Sequence, residues 1–206
     1  MASATLIALF LLSALTFYAP STTAQPVKDW NGNIDKNGGI FGTFYILPSL
    51  LGAPGGVRLL ATGNEPFPVS VVQSPFKDDK GLPVTISRIL QSTYSPAGQA
   101  VALSFDYTPG GTSLLWTAVE GFPEGTLVKI DGYYPDPLKG FFYIRDSKFG
   151  LKDSINLSFC RSLIGVIPAC SNVTVVKSDG NLLLAFTQED AYDFRLEEYQ
   201  PPSADA

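Results

Sequence analysis

Ala100-Val101-Ala102-Leu103-Ser104-Phe105, then Leu114-Leu115-Trp116-Thr117-Ala118-Val119, then Thr126-Leu127-Val128-Lys129-Ile130 follow one another across intervals rich in Gly, Pro and acidic residues. The first run alternates small with large side chains, which is the period of a pleated strand rather than of a helix. All three are too short for a typical helix and favour β-branched and aromatic types. The pattern extends both ways: Thr43-Phe44-Tyr45-Ile46-Leu47 and Val69-Ser70-Val71-Val72 lie upstream. Phe141-Phe142-Tyr143-Ile144, Val173-Thr174-Val175-Val176 and Leu182-Leu183-Leu184-Ala185-Phe186 lie downstream. No stretch reads as a convincing amphipathic helix. Short strands with turn punctuation between them predict an all-β barrel or sandwich. The length fits one core and does not require two domains.

Composition narrows the chemistry. The 206 residues hold 19 Gly, 16 Pro, 2 Cys and no His, and only 16% are charged. A Ser-His-Asp triad, a Cys-His pair and a His-ligated metal all need an imidazole, so those classes are excluded. Two thiols cannot build a four-thiolate metal site, and nothing in the chain calls for a cofactor. The net charge of −5 leaves no surplus of cations for phosphate backbones or for polybasic membrane attachment. No spacing marks the paired carboxylates of a glycosidase, no Asp-Thr-Gly or Asp-Ser-Gly motif appears, and no Gln-x-Trp repeat suggests a sugar-binding lectin. An enzyme is not expected.

Residues 1–24 carry no charged side chain and contain the apolar run Leu6 to Phe17, then Pro20 and Ser21-Thr22-Thr23-Ala24. That is the form of a secretory signal with a small-residue cleavage site, and it is too short for a comfortable membrane span. Cleavage after Ala24 would start the mature chain at Gln25. An exported, extracellular protein is therefore expected, and Cys160 and Cys170 then read as one disulfide. Asn156-Leu157-Ser158 and Asn172-Val173-Thr174 are glycosylation sequons on either side of that pair. The tail 200–206 reads as disordered, which leaves 25–199 as the domain.

Val27-Lys28-Asp29-Trp30-Asn31-Gly32-Asn33-Ile34-Asp35-Lys36-Asn37-Gly38-Gly39, followed by Phe44-Tyr45-Ile46-Leu47-Pro48, resembles the opening signature of plant Kunitz-type (soybean trypsin inhibitor-like) proteins. The likeness continues in register through Gly63-Asn64-Glu65, Pro68 to Gln73 and Gly81-Leu82-Pro83-Val84-Thr85-Ile86-Ser87. Trp116, Pro123-Glu124-Gly125, Val128-Lys129-Ile130, the Phe159-Cys160 to Cys170 loop and Tyr192-Asp193-Phe194-Arg195-Leu196 complete it. The resemblance implies a β-trefoil of three four-stranded pseudo-repeats and a monomeric protease inhibitor working through a substrate-like loop. Serine endopeptidases are the implied partner, with cysteine proteases and serine carboxypeptidases as further targets.

The same resemblance implies site residues. Asn37 matches the family asparagine that braces the reactive loop from behind. That loop falls between Thr85 and Gly98, with Ser87, Arg88, Ile89, Leu90 and Gln91 as its candidate residues. Relatives commonly read Ser-Ser-Pro-x-Arg-Ile there, but this chain reads Ser87-Arg88-Ile89-Leu90-Gln91 and lacks the Ser-Pro-x insert. Aligning the Arg-Ile pair makes Arg88 the residue that fills the protease specificity pocket (P1), and this alignment is preferred. Counting back from Gly98 makes it Gln91. The chain also lacks both ends of the family's first disulfide, with Phe67 standing in one cysteine position. The rival reading is a binding, storage or defence-signalling trefoil that has kept the fold and lost the protease loop.

Overall fold

The computed structural model describes residues 40–89, 99–105, 114–147, 154–162 and 169–201. Twelve strands are described there: β1 (Gly42–Pro48), β2 (Val57–Leu60), β3 (Ser70–Gln73), β4 (Val84–Arg88), β5 (Gln99–Phe105) and β6 (Trp116–Phe122). They continue as β7 (Gly125–Ile130), β8 (Gly140–Asp146), β9 (Ser154–Arg161), β10 (Cys170–Ser178), β11 (Asn181–Thr187) and β12 (Asp193–Glu198).

Pairing sorts these strands into two closed systems. β12, β1, β4, β5, β8 and β9 hydrogen-bond in that order, and β9 returns to β12 through Phe194 opposite Ile155. Six strands therefore close into a barrel. The remaining strands form hairpins β2–β3, β6–β7 and β10–β11. These hairpins meet in a triangle: Ser70 faces Lys129, Leu127 faces Ala185, and Leu183 faces Val72. A six-stranded barrel capped by a hairpin triplet, with hairpins between β1 and β4, β5 and β8, and β9 and β12, is the β-trefoil.

The alternation seen in the sequence fills both parts. Phe44, Ile46, Val84, Ile86, Leu103, Leu157, Phe194 and Leu196 all point into the barrel and are buried. Trp116 closes this core, its ring 5.4 Å from Phe105 and 6.1 Å from Phe142. A second, smaller cluster of Val72, Leu127, Leu183 and Ala185 sits where the hairpins meet. Burying each large apolar side chain contributes about 1.5–3 kcal/mol, which is the main term holding barrel and cap together.

Backbone chemistry fixes the connections. Asp179 and Gly180 form the two-residue turn of the third hairpin with φ of 47° and 80°, the left-handed pair that matches strand twist. Gly81 has φ +78°, and a Cβ there would lie 2.0 Å from the Val57 carbonyl oxygen. The chain can enter β4 beside β2 only because that position lacks a side chain.

Candidate functional site

β1 runs toward the hairpin triangle, because β2 follows it, and β4 is antiparallel to β1. β4 therefore ends, and β5 begins, at the opposite end of the barrel, where Ile40 and Phe41 lead into β1. Of the five candidate loop residues, three are described. Ser87 is exposed in the β4–β5 ladder, and its Oγ donates to the Ala102 carbonyl at 3.5 Å. Arg88 is the last residue of β4, exposed and paired with Val101, with its guanidinium 5.0 Å from the centre of the Phe41 ring. Phe41 is half-buried and packs on the main core. Ile89, half-buried, is the first residue past the strand. Leu90, Gln91 and Asn37 lie outside the described residues, as do the leader 1–24 and residues 202–206.

The ladder bears on what this end of the barrel can do. Ile86, two residues before Arg88, is 1% exposed and faces Gly42 on one side and Leu103 on the other. Arg88 thus stands at the base of the β4–β5 connection, tied to a strand that is itself locked in the barrel.

Cys160 and Cys170 face each other across β9 and β10 and are joined, with an S–S distance of 1.99 Å. The two sequon asparagines differ in burial. Asn156 is only 2% exposed, and its Nδ2 donates to Asp193 Oδ1 at 2.6 Å and to the Tyr192 carbonyl at 3.3 Å. A glycan on that nitrogen has no room in the folded chain. Asn172 is half-buried, accepts from Arg145 and donates through Nδ2 to the Glu189 carbonyl at 2.6 Å.

A polar network that the sequence reading missed occupies the hairpin end. Lys129, 1% exposed on β7, donates to Glu65 Oε1 at 2.7 Å and to Ser70 Oγ at 2.6 Å. Tyr134 donates to the same carboxylate oxygen at 2.6 Å, and the Thr62 N–H donates to Glu65 Oε2 at 2.7 Å. Burial pushes the Glu65 carboxyl up, but the hydrogen bonds from Lys129, Tyr134, Thr62 and Ser70 outweigh it and hold the group below its ordinary 4.5. Burial, and then the Glu65 acceptor, push the Tyr134 hydroxyl well above the usual phenol range. The Lys129 ammonium also lies 4.3 Å from the Phe122 ring centre. The available signal was a lysine between Val128 and Ile130 in an otherwise apolar strand, because a buried cation must find an acid.

The trefoil thus locks β4 and β5 in its barrel and leaves Ser87 and Arg88 exposed at the end of β4. The chain belongs to the legume Kunitz family of trypsin and protease inhibitors, whose model matches residues 27–198. It is a family of inhibitors, not of enzymes. A chymotrypsin inhibitor of Erythrina variegata is 38% identical over 106 residues, covering 52% of this chain and 58% of the relative. Trypsin inhibitor A of Glycine max is 37% identical over 162 residues, covering 76% of this chain and 73% of the relative. Among solved structures, soybean trypsin inhibitor in complex with porcine pancreatic trypsin superposes with a TM-score of 0.66 at 28% identity, covering 81% of this chain and 98% of that one. Among the described residues no helix is long and apolar enough to cross a membrane.

Proposed function

We propose that this protein is an exported inhibitor of serine endopeptidases that presents the β4–β5 connection to the protease cleft. The observation that carries this reading is the position of Ser87 and Arg88: exposed, at the barrel end opposite the cap, on strands held from both sides. In a substrate-like inhibitor the connection enters the cleft as a substrate would. Hydrolysis stalls because the barrel keeps both loop ends in place, so the new amine stays beside the acyl group and religation competes with release. Affinity in such a complex comes from rigidity more than from buried area, because little conformational freedom remains to be lost. Asn37 is the proposed brace behind the loop, its amide offering donors and acceptors to backbone without ladder partners. The uncharged apolar leader and the Cys160–Cys170 bridge support export through an oxidising compartment.

Titration of the processed protein against trypsin, chymotrypsin, papain and a serine carboxypeptidase tests the reading. Stoichiometric inhibition of a serine endopeptidase is expected. Inhibition of none of the four would replace it with the binding, storage or signalling reading.

A further inference from the structure

In the cap, the β2–β3 loop, the β6–β7 turn and the β10–β11 turn border a hollow of about 430 Å3. That volume lies in the range of small-molecule sites, about 300–1,000 Å3. The lining is of two kinds. Phe122, Tyr133, Tyr134 and Leu183 give it ring and aliphatic surface, and Asn64, Glu124, Asp179 and Asn181 give it amides and carboxylates. We propose that this hollow is a carbohydrate site, taking a neutral pyranose with its C–H face on the rings and its hydroxyls toward the amides and carboxylates. One turn from each hairpin contributes, so no repeated motif marks the site in the sequence.

The groups already spent decide the class of ligand. Glu65 and Lys129 also line the hollow, with side chains only 5% and 1% exposed. Lys129, Tyr134, Thr62 and Ser70 all donate to the Glu65 carboxylate, which fills its roughly four lone-pair sites. That carboxylate has no place left for a guest ammonium, and the Lys129 charge repels one. Among the described residues that line the hollow, Lys129 is the only cation. Nothing there is left to hold a phosphate or an acid, and Glu124 and Asp179 repel both. The Ser178 hydroxyl donates to Glu124 Oε1 and holds that carboxyl below its ordinary 4.5, so Glu124 stays an acceptor. Rings, amides and acceptors remain on offer. They match a neutral ring that has an apolar face and many hydroxyls.

The rings are fixed before any ligand arrives. The Lys129 ammonium lies 4.3 Å from the Phe122 ring centre, and Phe122 meets Tyr134 edge-on at 5.6 Å. Tyr134 meets Tyr133 at 4.9 Å, and Tyr133 meets Phe67 at 5.2 Å. Tyr133 is 39% exposed and is the stacking platform. A buried ion pair is a weak source of stability. Its use here is to pin Tyr134 and Phe122, so that binding has little left to order.

The test titrates the processed, isotope-labelled protein with the methyl glycosides of glucose, galactose, mannose and N-acetylglucosamine, read by amide shifts in two-dimensional NMR. At least one glycoside should bind saturably, with Kd about 1 mM, and shift amides in residues 62–65, 122–134 and 178–181. Tyr133→Ala should weaken binding about 10-fold or more, and Tyr133→Phe, which keeps the ring, less than about 3-fold. Asn181→Ala should weaken it about 3–10-fold. If Tyr133→Ala does not fold, Asn181→Ala and Tyr133→Phe decide. No shift with any of the glycosides overturns the inference, as do saturable shifts confined to other surfaces. Parent-like binding by Tyr133→Ala or Asn181→Ala also overturns it. Cyclohexanol and tetramethylammonium chloride are the controls. Binding of cyclohexanol as tight as that of the best glycoside would make the hollow merely apolar, and tighter binding of tetramethylammonium would make it a cation site; either result overturns the proposal.

Discussion

Glu65 Oε1 and Lys129 Nζ stand 2.7 Å apart with side chains only 5% and 1% exposed, although 64 positions separate them in the chain. The pair joins the loop of the first hairpin to a strand of the second. Removing one partner leaves the other charge buried and costs about 3–5 kcal/mol, whereas replacing both with apolar or neutral groups costs far less. Lys129→Met should lower the urea midpoint strongly, and Lys129→Met combined with Glu65→Gln should recover much of the loss. A single variant as stable as the parent would show that the network is incidental.

The same carboxyl sets an acid limit. Its value in the folded chain lies below the ordinary 4.5, so the folded state binds the proton less readily than the unfolded one. The stabilisation is complete above that ordinary value and is lost as pH falls through the lower, folded one. Thermal midpoints recorded from neutral to strongly acid pH should fall along this limb. The limb should flatten in the Lys129→Met/Glu65→Gln variant.

The bridge between Cys160 and Cys170 closes a loop of sequence separation 10. Chain-entropy arithmetic assigns such a loop roughly 2–3 kcal/mol. Reduction should lower the unfolding free energy by that amount while the far-ultraviolet circular dichroism stays that of a β protein, because β9 also pairs with β8 and β12. Collapse to a coil spectrum under mild reduction would mean that the barrel depends on the bridge.

Two glycines separate backbone strain from crowding. Gly63 has φ +57° with nothing within 4 Å of an added Cβ, whereas at Gly81 the Cβ would meet the Val57 oxygen at 2.0 Å. Gly63→Ala should cost about 1–2 kcal/mol from the left-handed backbone alone. Gly81→Ala should cost that and about 1–3 kcal/mol more for forced displacement. Equal losses would remove the argument from close approach.

Protein recovered from its native source should begin at Gln25 and carry no glycan on Asn156, whose Nδ2 is spent on Asp193 and Tyr192. Intact-mass and glycopeptide analysis reads both. A chain retaining residues 1–24 would remove the argument for export.

Much of the fold was legible because its strands are short apolar runs separated by turn residues. Ala100–Phe105 lies within β5, Thr126–Ile130 within β7, and Leu182–Phe186 within β11. β9 alternates regularly, but the alternation misstates its burial. Ser154, Ile155, Asn156, Leu157, Ser158 and Phe159 alternate polar with apolar as a half-exposed strand does, yet both faces are buried. On the polar face Asn156 donates to Asp193 and Ser154 to Ser49, while the buried Ser158 Oγ has no hydrogen-bond partner among the described residues. The Asn156-Leu157-Ser158 motif marks a sequon in the sequence, and only the fold shows its asparagine buried. β2 is four residues long with Arg58 inside it, too short to show a period. At the candidate site, local patterning found the segment but not the ladder around it. Whether Arg88 is free to enter a protease depends on Gly42, Val101 and Leu103, and only the closed barrel brings these alongside β4.

Ring closure has a consequence for the protein at high concentration. Every barrel strand has a neighbour on each side, so the barrel offers no open edge on which a second chain could add a strand. Among the described strands, β2 pairs only with β3 and is four residues long, and the β6–β7 register slips between Val119 and Phe122. Short and irregular borders are poor templates for intermolecular pairing. The described strands can thus be crowded together at high concentration without their sheets growing into one another.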